Sequence, residues 1–425
     1  MSTVIIETHG CKLNQADSQA LARRFTLAGY QVVGPGQPSD VYVLDTCTVT
    51  QMADRKARHA LRAAHRQNSK ALIVATGCYA QRDPAKLGAL PEVDLVLGNT
   101  DKDMLVQEII SFWKDVLGTS AVGKEVSGKG MRRARAMVKI QEGCNQVCAY
   151  CIVPKVRGRE RSIPADGLVA QIGALEEGGF QEVVLTGTQI GSYGFDIPGA
   201  SLFRLIELML NKTTIPRIRV SSLQPQVLGE ELLGLWQDPR LCPHFHMPLQ
   251  SGSDAVLRRM GRHYTADLFA HTAERVRARV PHASITTDVL TGFPGESEEE
   301  FQETYRFCRD IRFSGMHIFP YSVRPGTSAA LFQGKIDPVT KGLRGRQLLQ
   351  LAQEHAFDFR VSLLGQIRPV LWESRDPGDS RERWSGLTDN YVRVFTEEPR
   401  FLGNTITVTR LLEEQDGSLY GQVVD

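Results

Sequence analysis

The sequence predicts a multidomain α/β protein: an N-terminal parallel α/β sheet domain, a central partial barrel of β/α units and a small C-terminal β-barrel. Three observations predict it. Two runs alternate strand-length apolar segments with helix-period segments, a polar glycine-rich stretch separates them, and a third run has strands without helices. A chain of 425 residues is also long for one core, so two or three domains are expected.

In the first run, Val4–Thr8, Val41–Asp45, Leu72–Thr76 and Val93–Leu97 have strand length and composition. Helical patterns over Asn14–Ala28 and Asp54–Gln67 lie between them, the signature of a small parallel sheet. The stretch around Gly118–Arg135 reads as a linker. In the second run the strands are Val183–Thr186, Ile218–Ser221, His244–Leu249, Ile285–Leu290 and Met316–Tyr321. Helical patterns cover Ala165–Glu177, Phe203–Asn211, Thr265–Val280 and Glu298–Ile311. Repeated β/α units curl into a closed or partly closed barrel, with function at the carboxyl ends of the strands. After a helix from Pro338 to about Leu364, short strands at Ile367–Trp372, Tyr391–Phe395, Thr405–Thr409 and Tyr420–Val424 suggest an OB-like module. The domain boundaries expected are 1–118, 130–360 and 361–425.

The start of the chain, Met1-Ser2-Thr3-Val4-Ile5-Ile6-Glu7, lacks the basic and apolar pattern of a signal peptide, and no apolar run is of membrane-spanning length. The expectation is a cytoplasmic protein with no membrane partner. The net charge of +2 is unevenly spread. Arg132–Arg161 carries a net +6 and Arg55–Lys70 holds six basic residues without an acid. Arg55, Arg58, Arg62 and Arg66 fall at helical spacing, either a solvated face or a surface for an anionic partner.

Eight cysteines in a cytoplasmic chain do not form a disulfide framework, so their positions carry the meaning. Cys144-Asn-Gln-Val-Cys148-Ala-Tyr-Cys151 places three thiols in one short loop. That spacing suits three irons of a cubane cluster and leaves the fourth iron open. Structural zinc asks for four ligands, and a redox pair of Cys148 and Cys151 leaves Cys144 unexplained. Cys11, Cys47 and Cys78 are distant in sequence, yet each follows a predicted strand. In a parallel sheet those strand ends share one edge, so the thiols can converge on a metal centre. Cys308, among Phe301, Tyr305 and Phe307, reads as core, and Cys242 lacks such company. His244 and His246 share a strand face; barrel-lining or core roles are favoured over a metal role.

With both cysteine sets in view, the chain resembles the radical S-adenosylmethionine methylthiotransferases from end to end. The motifs are Thr8-His9-Gly10-Cys11-Lys12-Leu13-Asn14-Gln15, Asp45-Thr46-Cys47-Thr48-Val49-Thr50, Thr76-Gly77-Cys78-Tyr79-Ala80-Gln81 and Gly143-Cys144 through Cys151-Ile152-Val153-Pro154. Ile140-Gln141-Glu142-Gly143-Cys144-Asn145 suits the branch that modifies threonylcarbamoyladenosine in tRNA. The resemblance implies a partial (β/α)6 radical core and a TRAM-like C-terminal module. It also implies two [4Fe-4S] clusters: a radical cluster on Cys144, Cys148 and Cys151, and an auxiliary cluster on Cys11, Cys47 and Cys78 that handles the incoming sulfur. Tyr150 matches the aromatic that packs by the adenine of S-adenosylmethionine. Leu185-Thr186-Gly187-Thr188-Gln189 matches the segment that meets its methionine amino group. Ser221-Ser222, Gln250-Ser251-Gly252, Asp288 with Gly292, and Phe319 to Tyr321 match later strand-end segments around that cofactor.

The implied reaction puts a methylthio group on carbon 2 of threonylcarbamoyladenosine at tRNA position 37. An aromatic C–H bond is not acidic, so side-chain acid–base chemistry cannot replace it, and the cofactor must carry that burden. In the family one S-adenosylmethionine methylates sulfur at the auxiliary cluster, and a second yields the radical that activates the ring carbon. The partners implied are a tRNA anticodon stem-loop, a reductant such as flavodoxin or ferredoxin, and a sulfur donor. Alternatives are isopentenyladenosine in tRNA or a ribosomal-protein aspartate as substrate, and a non-catalytic RNA-binding protein with structural metal.

The C-terminal module departs from expectation, with a net charge of −4 over Val361–Asp425 where an RNA-binding module is usually basic. RNA contact there would rest on Arg368 and Arg393 and on stacking by Trp372, Trp384 and Tyr391, unless the module only packs. Arg157-Gly158-Arg159-Glu160-Arg161 is the better candidate for phosphate contact, or else a solvated loop in which Glu160 pairs.

Overall fold

A computed structural model describes residues 2–117, 134–376 and 383–424, so most of the expected linker around Gly118–Arg135 lies outside the described residues. The chain forms two compact units. The first comprises Met1–Met131, Glu142–Arg161 and Ser322–Ala330; the second comprises Arg132–Gln141, Ser162–Tyr321 and Leu331–Asp425.

The first unit is built on five parallel strands, β1 (Thr3–Thr8), β2 (Gln31–Val33), β3 (Val41–Thr46), β4 (Leu72–Gly77) and β5 (Leu95–Leu97), ordered β2-β1-β3-β4-β5. The central β3 and β4 are buried along their whole length, which is why they read as unbroken apolar runs. Alternate residues feed two cores. Val4, Val41, Val43, Leu72 and Val74 meet Leu21 and Phe25 of α1 (Lys12–Leu27), and further along Leu105 and Ile109. Tyr42, Leu44, Ile73 and Ala75 meet Ala57 and Leu61 of α2 (Gln51–Gln67), whose N-terminus Thr50 caps by accepting the Ala53 N–H. Two short helices follow β4, α3 (Cys78–Arg82) and α4 (Pro84–Gly88), and α5 (Leu105–Leu117) follows β5. The edge strand β2 was not expected; its three residues, two of them exposed, leave too short a pattern to read.

The second unit opens with β6 (Arg135–Lys139). Short strands β7 (Gln141–Glu142) and β8 (Arg161–Ser162) pair with each other, with α6 (Val153–Arg157) of the first unit between them in sequence. Then come α7 (Ala165–Glu177), β9 (Glu182–Thr186), α8 (Leu202–Lys212), β10 (Arg217–Val220), α9 (Glu230–Gly234), β11 (His244–His246), α10 (Asp254–Met260), α11 (Ala266–Arg279), β12 (Ser284–Thr291), α12 (Glu298–Ile311) and β13 (Gly315–Pro320). Two parallel sheets, β10-β9-β6 and β11-β12-β13, are linked by bridges Ile218↔Leu241 and Ser222↔His246. The result is a six-stranded partial barrel around one large apolar core. Its helix α12 begins with a reciprocal capping box between Ser297 and Glu300.

Helix α13 (Pro338–Val361) leads to β14 (Ile367–Asp376), β15 (Arg383–Thr388), β16 (Arg393–Thr396), β17 (Ile406–Gln415) and β18 (Ser418–Val423), a closed barrel ordered β14-β15-β16-β18-β17. No strand was expected at β15. Gly386 in its middle weakens the pattern, but a Cβ there would lie 2.7 Å from the Leu371 carbonyl, so close β14–β15 pairing needs glycine.

This barrel engages the amino ends of the β/α strands. Arg217 donates to the Leu387 and Thr388 carbonyls, and Arg219 to that of Asp389. Tyr391, at positive φ, stacks flat on His244 with ring centroids 4.5 Å apart. Beneath them the wholly buried Glu182 meets Arg219 at 2.8 Å and Arg217 at 3.0 Å. Burial opposes its ionisation, but Arg219 and Arg217 hold its carboxyl down to about 2.

The five residues expected to contact RNA from this module have other partners. Trp372 and Trp384 are core residues of the small barrel, Trp372 being fully buried with its indole N–H on Thr407. Arg368 is buried in a bidentate pair with Asp389. Tyr391 is spent on His244, and Arg393 pairs with Glu373 at 2.9 Å.

Candidate metal and cofactor site

The first unit carries both thiol triads. Cys11 caps α1 just beyond β1, Cys47 directly follows β3, and Cys78 opens α3 after β4. Since β1, β3 and β4 are neighbours in the sheet, the three thiols stand at one carboxyl edge, spanning the point where strand order reverses. Burial pushes the Cys47 thiol up to about 12, and the charges of Cys78 and Cys11 push the same way. Burial also raises Cys78, against the pull of Arg157 and an Asn99 N–H. Three sulfurs that feel one another's charge, two of them receiving N–H donors, fit a cluster that takes them as thiolates. Val49 N lies 3.5 Å from the Cys47 sulfur and Asn99 Nδ2 3.6 Å from that of Cys78.

The surroundings are charged and buried. Lys102 donates to Asp17 (3.1 Å) and Asp45 (3.0 Å), and Arg157 to Asp17 (3.0 Å) and Glu142 (2.7 Å). Arg157 is thus no phosphate contact, which corrects part of the sequence reading. Glu160 does pair, though with Asn145, and Arg161 is exposed at 70% of its side chain.

Cys144, Cys148 and Cys151 lie on a loop fixed at both ends. Cys144 N donates to the Gly158 carbonyl at 3.1 Å and Cys151 N to that of Cys148 at 3.0 Å. Gly143 has φ +76°, and a Cβ there would sit 1.9 Å from the Arg159 carbonyl, so only glycine lets the chain enter this loop. Tyr150 is half-buried on it. Three thiols within eight residues fit an iron cluster and offer no fourth protein ligand of their own. Ile152 and Val156, just past the loop, pack against Cys78, and Asn99 links Val156 to the Cys78 sulfur.

In the second unit the remaining predicted residues sit at the carboxyl ends of the barrel strands. Thr186 ends β9, and the Cβ of any larger residue at Gly187 would strike the Gln141 carbonyl at 2.7 Å. Gln141 Oε1 accepts the Thr188 and Gln189 N–H groups, and Gln189 accepts from Gln224. Ser222 bridges to His246, and Gln250, at φ 67°, exchanges backbone bonds with Asp288 and Leu290. Asp288 reaches His246 at 3.2 Å, and Phe319 projects half-exposed from β13 beside His317. Among the eight residues expected around the cofactor, seven therefore share this edge, and Tyr150 belongs to the first unit. Sequence reasoning missed Gln141 and His317. The alternation His317, Phe319, Tyr321 along a strand was the available signal for the latter. Cys308 is fully buried, as its aromatic company predicted. A cavity of about 530 Å³ in the first unit is lined by Glu7, His9, Tyr42, Arg55, Lys56 and His59 among others.

Strand-end thiols, a three-cysteine loop and a six-stranded parallel barrel define a radical S-adenosylmethionine enzyme. The profile of the Radical SAM superfamily matches residues 138–308, and that described as Uncharacterized protein family UPF0004 matches residues 3–98. Relatives extend over nearly the whole chain. Threonylcarbamoyladenosine tRNA methylthiotransferase MtaB of Aquifex aeolicus (strain VF5) is 39% identical, over 95% of this chain and 99% of the relative. The protein of the same name from Bacillus subtilis (strain 168) is 37% identical, over 93% and 90%. tRNA-2-methylthio-N(6)-dimethylallyladenosine synthase of Dictyoglomus thermophilum is 34% identical, over 100% and 99%. The chain belongs to the radical S-adenosylmethionine methylthiotransferase family. The fold is shared with the radical methyltransferase TsrM of Kitasatospora setae with cobalamin and a [4Fe-4S] cluster bound (TM-score 0.56, 14% identity, 78% of this chain and 77% of that one). OxsB, a cobalamin-dependent radical enzyme, gives a TM-score of 0.51 at 12% identity, over 84% of this chain and 56% of that one. Membership of the superfamily brings S-adenosylmethionine and a [4Fe-4S] cluster. No helix among the described residues is long and apolar enough to cross a membrane.

Proposed function

We propose that the enzyme replaces the hydrogen on carbon 2 of threonylcarbamoyladenosine, at position 37 of a tRNA, with a methylthio group. The observation that carries this reading is the second thiol triad, Cys11, Cys47 and Cys78, at the ends of three adjacent strands. A radical enzyme that only cleaves S-adenosylmethionine has no use for it, whereas sulfur insertion needs a place to hold sulfur. The substrate follows the relatives that bear the threonylcarbamoyladenosine name at 37–39% identity.

In this reading Cys144, Cys148 and Cys151 hold the radical cluster, and Cys11, Cys47 and Cys78 hold an auxiliary [4Fe-4S] cluster. When bound, these groups and S-adenosylmethionine supply the one-electron chemistry and the sulfur that no side chain can provide. The chain's own residues position them. Gly143 and Gly158 set the loop, while Asn99 and the Val49 N–H donate to sulfur and steady the charge of the triad. Thr186, Gly187, Gln189, Ser222, Gln250 and Phe319 of the second unit take S-adenosylmethionine, and Asp288 faces the same lumen. Exposed Arg55, Arg62 and Arg66 of α2 offer phosphate contacts for the anticodon stem-loop. A flavodoxin- or ferredoxin-like reductant and a sulfur donor complete the set of partners, in the cytoplasm.

Nucleoside mass spectrometry of a deletion strain tests the substrate. Loss of 2-methylthio-threonylcarbamoyladenosine alone supports it; loss of 2-methylthio-isopentenyladenosine moves the enzyme to the other tRNA branch. Cys144→Ala should abolish S-adenosylmethionine cleavage, and Cys47→Ala should keep cleavage and stop sulfur insertion. Normal product from Cys47→Ala sinks the auxiliary-cluster assignment.

A further inference from the structure

Three neighbouring strands each send one metal-binding side chain to the same region of the barrel lumen: His246 from β11, Asp288 from β12 and His317 from β13. His246 is paired with Thr286, two residues before Asp288 on one face of β12, and Asp288 is in register with His317. One ligand atom from each lies within 4.8 Å of the other two. A single ion bonded at about 2.0–2.2 Å to each closes that span with small side-chain rotations. We propose that His246, Asp288 and His317 form a mononuclear site for a divalent transition-metal cation, sharing no ligand with either thiol triad.

The donor set is two imidazoles and one carboxylate, which suits zinc or ferrous iron and leaves coordination positions open toward the lumen. The hydrogen bonds behind it are those a ligating histidine needs. His246 Nδ1 lies 3.0 Å from the Thr286 hydroxyl, and His244 Nε2 lies 3.0 Å from the same oxygen. Thr286 has one proton for two imidazoles. When His246 donates from Nδ1 and the Thr286 hydroxyl donates to Nε2 of His244, the Nε2 of His246 presents a lone pair beside Asp288, 3.2 Å away. With the chain reversed, Thr286 donates to Nδ1 of His246, and its Nε2–H donates to Asp288 in a simple hydrogen bond. The stack of His244 on Tyr391 fixes the far end of this chain, so the second imidazole has a set orientation. Two of the ligands come from strands whose register is locked by parallel pairing over six residues, which gives the site a rigid base.

The test uses the holoenzyme with its clusters in place. Zinc is titrated anaerobically, the protein is desalted, and zinc, iron and sulfide are counted together. The expected result is one zinc retained per chain with iron and sulfide unchanged. His246→Ala and His317→Gln should retain none; His317 is exposed, so its replacement leaves the fold intact. Thr286→Val should weaken binding by about 10–100-fold. Absence of zinc in the wild type, zinc that enters only as iron leaves, or zinc still retained by His317→Gln overturns the proposal. None of these outcomes bears on methylthiolation, which the nucleoside profile tests separately.

Discussion

Glu182→Gln offers a quantitative test of how the barrel floor is held. Glu182 and Arg219 are fully buried, and Arg217 nearly so. The shift of the carboxyl from 4.5 to about 2 corresponds to about 3 kcal/mol of stabilisation. Removing the charge also leaves two guanidinium groups buried against one neutral amide, and breaking a buried pair costs about 3–5 kcal/mol. The amide keeps the shape and one acceptor, so a loss near about 3 kcal/mol is expected. Three of the four tryptophans, Trp236, Trp372 and Trp384, belong to this unit and Trp113 to the other, so urea unfolding followed by tryptophan emission in a Trp113→Phe background reads the right unit. With slopes of about 1–3 kcal/mol per molar, the midpoint should fall by about 1 M or more. The pH dependence has a definite sign. A depressed carboxyl pKa stabilises fully above the unfolded value of about 4.3, and that stabilisation is lost as pH falls toward about 2. The variant should therefore show a shallower loss across that window than the parent. Combining Glu182→Gln with Arg219→Met should cost less than the two single changes added together. A single variant within about 0.5 kcal/mol of the parent, or strictly additive costs, would refute the argument.

Gly143→Ala places a methyl 1.9 Å from the Arg159 carbonyl, so the cysteine loop must shift; iron content after reconstitution should fall toward the amount held by one cluster. Lys102→Met removes the cation that Asp17 and Asp45 share, leaving Asp17 its pair with Arg157, and should cost the first unit about 3 kcal/mol, seen as faster amide exchange in β1 and β3. Because the folded Lys102 pKa is raised, its contribution is complete below about pH 10.4 and fades only as pH climbs through the folded value. Trp372→Ala empties the centre of the small barrel and should cost about 3–5 kcal/mol, with exchange protection lost in β14–β18 first.

The parts of the site written in local spacing were legible in the sequence. Cys144, Cys148 and Cys151 declare themselves by spacing, and Cys11, Cys47 and Cys78 by following strands whose apolar runs are unmistakable. Strands β3 and β4 are the clearest because both their faces are buried. Strand β6 was missed because Arg135 and Lys139 bracket only three apolar residues; its place depends on parallel pairing with β9, more than forty residues away. The errors concern burial of polar and aromatic groups. Arg157 looks like a phosphate contact until Asp17, 140 residues distant, turns out to be its partner. Trp372, Trp384 and Arg368 suggested a stacking surface, but a five-stranded barrel of this size needs large side chains inside, and Asp389 claims the arginine. Such long-range partners leave no trace in a short window of sequence.

The contact of Ile152 and Val156 with Cys78 has a consequence for interpreting variants. The segment that leaves the last thiol of one triad is the wall of the other, and Asn99 stitches the two with a single amide. The two thiol triads therefore share a partition rather than standing apart. If both triads carry the proposed clusters, a bulky side chain at Val156 will disturb the spectra of both at once, and damage beside one triad will loosen its neighbour through that common wall.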